Sequence, residues 1–455
     1  MVKSKRGWSR LVRFTGLIFV AFAPSSPLLS QTAPPAPAIS QPPSTSTGPV
    51  ATGGSEDPAP GAIYKQAMHP LDVVRGSLEN WSDAELGALS VGMHQAREAC
   101  DRAKPENYAG DDLYDLGRLC SFGQDWNAAN AAALAYIASG AEPHRAQAYV
   151  LSESALVHIN AVDLAVETAR EMLFRLPYDA EVAYGLLSLK SYLALGGSPA
   201  ALKLATEEHP SIISALEQGA PLKAAQGEGA IGLGALYESA MEMAFLERYN
   251  GDDKAATTTA AEVEAALGTP PSLGQEDRLR IESVHAQYQL LGTRLPEIKV
   301  IRSLRGPNAK AQINSSFGYA TVFVLFPDWC VQCRKMMKTL TAFAVVNGTT
   351  PIHAYGLIFQ EDADSNGQSL RDAEMKELQG TATLLVPAET SRTFGAIDYP
   401  LGIVVDKSGL IRYIGAIPED AFNGNGFVNR FITQMAARSG FMPKATKTGG
   451  APMAN

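Results

Sequence analysis

The stretch FPDWCVQCRKMM, residues 326–337, decides the fold of the last third of this chain. Two cysteines, Cys330 and Cys333, stand three residues apart, after an apolar run and before a helix-like run. A cysteine at a helix N-terminus meets unpaired amides and the positive end of the helix dipole, which favour its thiolate. A second thiol one turn later can resolve a mixed disulfide. The pattern predicts a dithiol redox site in which Cys330 attacks and Cys333 resolves.

The segments around this pair predict a sheet covered by helices on both faces. Runs of β-branched and aromatic residues are typical of strands, and helical patterns stand between them. The order is strand, helix, strand, helix, strand, hairpin and last helix, which favours an α/β layer structure. The predicted strands are residues 319–326, 352–359 and 381–386 and a hairpin over 401–417, and the helices are residues 333–344, 369–380 and 427–439.

The motif WCVQC, followed later by Tyr399-Pro400 and LGIVVDKSGLIRYIG, resembles the thioredoxin superfamily, and more closely its exported TlpA/ResA-like thiol-disulfide oxidoreductases. The resemblance covers residues 295–438 and implies an α/β thioredoxin-like domain with a mixed central sheet. It implies that Pro400 is a cis-proline facing the cysteines, that Tyr399 is its substrate-facing neighbour, and that Trp329 flanks the substrate groove. Protein thiols or disulfides are then the substrates, and no cofactor is expected.

Two departures limit what the resemblance implies. Val331 and Gln332 separate the cysteines where the family most often has a proline second, so the redox potential does not follow by analogy. Val324 occupies the position, six residues before the first cysteine, where many thioredoxins carry a buried acid. Asp328 is nearer in sequence, but it is expected to be exposed in the turn.

Other interpretations of the cysteine pair have less support. A structural zinc site needs four ligands, usually with a second close pair, and the other two cysteines lie far away without that spacing. Haem attachment needs a histidine after the second cysteine, where this chain has Arg334. The seven histidines show no metal-ligand spacing, so no metal is expected. Structural thiols without chemistry remain an alternative.

Residues 62–291 read as helix throughout, with short breaks between apolar and alanine-rich segments. Pro143, Pro177 and Pro210 recur at a repeat-like interval, each read as closing a helix, and small residues stand in the preceding turns. This resembles the tetratricopeptide repeat over residues 111–210, with a degenerate fourth unit at 243–267; a generic helical repeat is the alternative. Such an array presents a concave surface to a protein partner, here a substrate or an electron donor. A purely scaffolding role is equally open.

Cys100 and Cys120 flank a loop, AKPENYAGDD, that reads as the turn of a helical hairpin. Antiparallel helices would bring the two thiols together. In an exported protein a stabilising disulfide is then favoured over two buried thiols.

The N-terminal residues indicate export. A basic segment is followed by an apolar run of about ten residues, which is typical of a secretory signal and short for a membrane helix. We predict a signal peptide at residues 1–30, a disordered Pro/Ala/Ser linker at 31–61 and a disordered tail at 439–455. The chain is then periplasmic or otherwise extracytoplasmic, with an uncleaved signal as membrane tether being the alternative.

Composition supports a globular protein without affinity for nucleic acid. The 455 residues are 46% hydrophobic and 19% charged, with a formal charge of -9, so no basic excess attracts nucleic acid. We therefore predict a multidomain, exported thiol-disulfide oxidoreductase with an all-α helical repeat domain for partner binding. The alternative is a non-enzymatic scaffold in which the thioredoxin-like domain is a recognition module. A peroxide-reducing enzyme has less support because its proline-threonine-cysteine signature is absent.

Overall fold

The computed structural model describes most of the chain between residues 58 and 417. The described residues are 58–77, 83–195, 199–225, 229–269, 273–304, 313, 320–346, 352–360, 376 and 378–417. The predicted signal peptide, all but the end of the predicted linker, the predicted last helix and the predicted tail lie outside them. Of the predicted helix at 369–380, only residues 376 and 378–380 are described.

Helices make up the first part of the structure, which we call the helical part (residues 60–291). A 3₁₀ turn, Pro105–Asn107, lies between the second and third helices. The α-helices are α1 (Pro60–Ser77), α2 (Asp83–Arg102), α3 (Asp111–Phe122), α4 (Trp126–Ser139), α5 (Arg145–His158), α6 (Val162–Arg175), α7 (Ala180–Leu195), α8 (Pro199–Glu217), α9 (Leu233–Tyr249), α10 (Asp253–Leu267) and α11 (Gln275–Leu290).

Local sequence explains where several of these helices begin and end. Asp125 precedes α4 and its side chain accepts a hydrogen bond from the backbone N–H of Ala128; Asp252 does the same for α10. Such caps satisfy amides that have no partner inside the helix. Gly140, at φ 70°, ends α4 in the left-handed conformation that glycine adopts without cost.

Three successive helix pairs, α3–α4, α5–α6 and α7–α8, occupy the region where repeats were predicted. Their first helices begin at Asp111, Arg145 and Ala180, so the pairs recur at intervals of 34 and 35 residues. Within each pair the two helices pack directly on each other. Alanines fill the contact between α4 and its neighbours, where Ala129, Ala132 and Ala133 are fully buried. Small side chains let helix axes approach closely.

Two sequence predictions for this part are wrong. The segment is not wholly helical, because β1 (Leu222–Lys223) and β2 (Ala230–Ile231) pair antiparallel between α8 and α9; Gly219, at φ 62°, turns the chain out of α8 toward them. Pro210 does not close a helix but lies inside α8. An interior proline costs about 3 kcal/mol, and the buried face of α8, with Leu204 before Pro210 and Leu216 after it, continues across it.

A mixed sheet, as predicted, forms the second part of the structure, which we call the sheet part (residues 302–416). The sheet has six strands among the described residues, one more than the sequence predicts. Its strand order is β3-β6-β5-β4-β7-β8. β4 is parallel to β5, and β5 to β6, whereas β3, β7 and β8 run antiparallel to their neighbours. The elements are β3 (Arg302–Ser303), β4 (Ala320–Pro327), α12 (Val331–Val346), β5 (Ile352–Phe359), β6 (Thr383–Leu385), α13 (Glu389–Thr393), β7 (Leu401–Val405) and β8 (Ile411–Ala416). β3 and α13 were not predicted.

The central strand β4 is buried on both faces. Val322, Val324 and Phe326 face a core that includes Met336, Met337 and Leu340 of α12. Phe323 and Leu325, which alternate with them, belong to a second core. Side chains of a strand alternate between the faces of its sheet, so a continuous apolar run requires a cover on each side.

Helices of the helical part contribute to that second core. It joins residues of α9 and α11 to the sheet residues Phe323, Leu357 and Ile403. Backbone pairing extends the contact, because the N–H of Gly292 donates to the carbonyl of Ile411 and the N–H of Ile411 donates to the carbonyl of Thr293, both at 2.8 Å. The helical part and the sheet part therefore share one hydrophobic core. Among the described residues no helix combines the length and apolar character that crossing a membrane requires.

Candidate dithiol site

The two cysteines of the opening motif lie where β4 passes into α12, and they are joined by a disulfide. Cys330 immediately precedes Val331, the first residue of the helix, and its backbone N–H donates to the carbonyl of Pro327 at 3.1 Å. The N–H of Cys333 points back at Cys330 and donates to its Sγ at 3.3 Å. An amide aimed at this sulfur, together with the helix dipole, stabilises negative charge on it once the disulfide is reduced.

Exposure distinguishes the two sulfurs. Cys333 is completely buried, among residues such as Val324, Met337 and Ile358. Cys330 is only partly buried at the edge of the same core. A substrate can therefore reach Cys330 first, and Cys333 is protected from external attack.

Aromatic side chains stand beside the disulfide. Trp329 is 45% exposed. It meets the ring of Tyr399 edge to face, with centroids 6.2 Å apart, and Tyr399 in turn lies 5.6 Å from the ring of Phe359. Phe359 was not singled out by the sequence analysis; its place at the end of the parallel neighbour of β4 could have indicated it. The rings of Trp329 and Tyr399, with the buried Phe359 behind them, form an apolar surface next to the partly exposed Cys330, suited to a peptide segment.

Pro400 lies at the same end of the sheet. The Tyr399–Pro400 peptide bond is cis. Leu401, the first residue of β7, pairs with Leu325 of the antiparallel strand β4, so Pro400 stands across from the last residues of β4 that lead to Cys330. Its carbonyl accepts a hydrogen bond from the N–H of Ile417 at 3.4 Å. The structure thus brings together Trp329, Cys330, Cys333, Tyr399 and Pro400.

The buried surroundings of Cys333 hold no acid at the position where the resemblance would place one. Val324 is fully buried and belongs to the same core as Cys333. The expectation that Asp328 is exposed is wrong, because only 8% of it is accessible. Its backbone N–H donates to the carbonyl of Phe359 at 2.9 Å, and its carbonyl accepts from Nη1 of Arg334. These two bonds pull the turn against the sheet.

Arg334 is a buried cation that the sequence analysis did not count as part of the site. It is 5% exposed, follows Cys333 directly and anchors the turn that carries Cys330. Arg334 stands four residues after Cys330, on the same helical face, and this spacing could have indicated from the sequence that it belongs to the site. A positive charge near a cysteine favours the thiolate.

Helix α11 of the helical part holds the segment that leads to Tyr399. Oγ of Ser283 and Nε2 of Gln287 both donate to the carbonyl of Gly395, the latter at 2.8 Å. Nη1 of Arg280 contacts Oδ2 of Asp398 at 3.2 Å and Oε2 of Glu238 at 2.7 Å. Gly395 has φ 59°, and a Cβ there would lie 2.6 Å from the carbonyl oxygen of Ser283. The contacts of α11 with Gly395 and Asp398 join positions more than 100 residues apart, and no local sequence pattern indicates them.

Cys100 and Cys120 form a separate disulfide between α2 and α3. They are 2% and 1% exposed, within a cluster of alanine and leucine side chains. The four cysteines of the chain therefore make two disulfides. Within the described part of the chain, no group of three or more potential ligands is arranged to hold a metal ion.

Comparison with known proteins finds only distant similarity to this chain. No family model matches the chain, and no curated protein matches it significantly. Among solved structures, a thiol:disulfide interchange protein from Bacteroides sp. aligns at 20% identity and TM-score 0.24, over 31% of this chain and 90% of that one. The thioredoxin domain of a thiol-disulfide oxidoreductase from Bacteroides vulgatus aligns at 19% identity and TM-score 0.22, over 30% of this chain and 99% of that one.

Proposed function

We propose that this chain is an exported thiol-disulfide oxidoreductase that acts on protein disulfides through Cys330 and Cys333. The observation that carries the proposal is the Cys330–Cys333 disulfide at the start of α12, with one sulfur accessible and the other buried. The exposed ring of Trp329 and the neighbouring Tyr399 provide a surface for the substrate polypeptide. In this proposal the sheet part is a thioredoxin-like domain of the TlpA/ResA-like kind, which the order of its strands supports at the level of a mixed α/β sheet.

The reaction consists of two thiol-disulfide exchanges. In the reduced protein the Cys330 thiolate attacks one sulfur of a substrate disulfide, a mixed disulfide forms, and the other substrate sulfur leaves as a thiolate. Cys333 then loses its proton and attacks Sγ of Cys330, which releases the second substrate thiolate. Two electrons pass to the substrate, and the Cys330–Cys333 disulfide remains. A partner dithiol returns the electrons by the same steps in reverse, and a net oxidase runs the cycle in the opposite direction.

Helix and amide groups contribute to the first step. The N–H of Cys333 and the helix dipole stabilise the Cys330 thiolate both as nucleophile and as leaving group. The buried Arg334 fixes the turn, so the sulfur stays aligned with the helix. Since Val324 offers no acid, the proton of Cys333 leaves by another route.

In this proposal the helical part recruits the substrate or the electron donor as a tetratricopeptide-like array. The recurrence of helix pairs at 34 and 35 residues supports a repeat. The signal-like N-terminus supports an extracytoplasmic location, where the Cys100–Cys120 disulfide would also persist.

The test is a trapping experiment with the Cys333→Ser variant, expressed with its own N-terminal segment. Because the resolving thiol is gone, mixed disulfides through Cys330 should accumulate and can be isolated by non-reducing electrophoresis. A Cys330→Ser/Cys333→Ser variant is the matched control and should trap nothing. A correctly folded Cys333→Ser protein without specific adducts would favour the non-enzymatic scaffold instead.

A further inference from the structure

A narrow pocket opens between α5 and α7, remote in sequence from the dithiol site. These are the first helices of two successive pairs, and they contact each other directly. The walls come from one face of each helix, at the spacing of three to four residues that aligns side chains along a helix. The residues that shape it are Val150, Glu153 and Val157 of α5 and Tyr184, Leu189 and Tyr192 of α7.

A carboxyl group lies in this apolar pocket. Glu153 is only 3% exposed, and its Oε1 is buried without a hydrogen-bond partner among the described residues. Burial raises the pKa of this carboxyl well above its usual range. Leaving a buried polar atom unsatisfied is costly, and such an atom in a native structure calls for an explanation.

Close approach of α7 to α5 leaves room for the carboxyl of Glu153 at the pocket wall. Gly185 of α7 faces α5, and a Cβ at this position would lie 2.5 Å from Cγ2 of Val150 and 3.7 Å from Oε2 of Glu153. A larger residue would push α7 away from α5 and crowd the carboxyl. At the mouth, Tyr184 is 43% exposed and can lie along an incoming side chain.

We propose that this pocket binds a basic side chain, a lysine or arginine, of a segment of a partner protein. The methylene groups of such a side chain match the walls formed by Val150, Val157 and Leu189, and its nitrogen supplies the hydrogen bonds that Glu153 lacks. The tyrosine rings add a favourable environment for a cation. The formal charge of -9 on the chain attracts basic partners in general.

This inference rests on the proposed partner-binding role of the helical part, and it does not depend on the chemistry of Cys330. It makes Glu153 the group that selects the partner segment. The occupant is a polypeptide because the pocket lies on an array whose neighbouring helix faces can hold the flanking residues.

The test measures affinity of the intact chain for two acetylated, amidated alanine–glycine peptides that differ at one central residue, lysine or norleucine. Norleucine has the same straight carbon chain without the ammonium group. In calorimetric titrations we expect the lysine peptide to bind the unmodified protein about 10-fold or more tightly than the norleucine peptide. In Glu153→Gln this preference should fall close to one. Equal affinities for the two peptides in the unmodified protein, or an unchanged preference in Glu153→Gln, would overturn the proposal.

A second variant guards against an effect of Glu153→Gln on folding. Ser188→Leu fills the partly exposed pocket wall without changing Glu153, and it should weaken binding of both peptides. Insulin reduction by the same variants should equal that of the unmodified protein. If Glu153→Gln loses the preference for lysine while it still reduces insulin, the effect is specific to the pocket. If the unmodified protein binds the lysine peptide but does not reduce insulin, only the proposed redox function is contradicted.

Discussion

The helical part and the sheet part each contain one disulfide, yet the two bonds have opposite surroundings. Cys100–Cys120 links two helix bodies 20 residues apart in sequence, and both residues are buried. Cys330–Cys333 closes a single helical turn, and Cys330 reaches the surface beside Trp329. Reactivity of a cysteine depends on exposure and on stabilisation of its thiolate. We therefore expect the buried Cys100–Cys120 bond to serve stability, and the proposed function assigns exchange chemistry to the Cys330–Cys333 bond.

Buried charge differs between the two parts as well. Among the described residues the buried glutamates all belong to the helical part; they are Glu153, Glu208 and Glu247. Glu208 pairs with Lys190 at 2.5 Å, both almost inaccessible to solvent. In the sheet part Asp328 and Arg334 are also buried, in the turn beside Cys330, but the core around Cys333 is apolar. The comparison predicts that stability responds to pH mainly through the helices.

The largest expected effect is on exchange activity. Cys330→Ser removes the accessible sulfur and should lower the rate of insulin reduction by dithiothreitol about 100-fold or more, to the uncatalysed rate. Folding should be unaffected, as judged by circular dichroism. Residual catalysis in this variant would mean that Cys330 is not the attacking group.

Loss of the Cys100–Cys120 disulfide should lower stability and leave exchange activity unchanged. Replacing Cys100 and Cys120 together by alanine removes a cross-link that closes a loop of about 20 residues, which contributes about 3 kcal/mol to the free energy of unfolding. Urea unfolding should show this loss, while insulin reduction stays unchanged.

Thiol titration of the unmodified protein checks the same contrast. After mild reduction under native conditions, an alkylating reagent should modify the Cys330 thiol readily, and the buried Cys333, Cys100 and Cys120 should react only after unfolding and full reduction. Four thiols released together would contradict the difference in accessibility.

The pH response of the helical part is tested at Glu242, which lies in α9. Burial raises the pKa of this carboxyl to about 7. A raised folded-state pKa stabilises the fold fully below the unfolded value of about 4.3, and this contribution is lost as pH rises toward 7. Between pH 5 and pH 8 the free energy of unfolding should fall by about 2–3 kcal/mol more in the unmodified protein than in Glu242→Gln. Glu282→Gln, at an exposed position of α11, is the matched control and should keep the full decline.

The smallest expected effect concerns the contact between the two parts. Gln287→Ala removes one of the two side chains that donate to the carbonyl of Gly395, a loss of about 1 kcal/mol. Because this carbonyl precedes Tyr399 and Pro400, we expect the KM for insulin to rise about 3- to 10-fold with little change in kcat. Gln289→Ala, on the exposed face of the same helix, should change neither. An equal effect of both substitutions would show that α11 does not position the site.

The sequence alone determined the dithiol, the mixed sheet and the helical character of the first part. These predictions rest on local information: the three-residue spacing of Cys330 and Cys333, the apolar run of β4 and the alanine-rich periodicity of the helices. Sequence predictions for individual residues were wrong where tertiary packing outweighed a local rule. Pro210 continues α8 because the buried face of that helix compensates for the lost hydrogen bond, and Asp328 is buried because Arg334 and Phe359 bind its backbone.

Only the tertiary structure decided what surrounds those elements. The run in β4 requires a cover on both faces, but nothing in its sequence says that helices α9 and α11 contribute to one of them. The burial of the Glu153 carboxyl also depends on residues that are distant along the chain. The same is true of the hydrogen bond from Gln287 to the carbonyl of Gly395. Local patterns encode backbone conformation and which faces are apolar, whereas partners across the core follow from how whole elements pack, which no short stretch specifies.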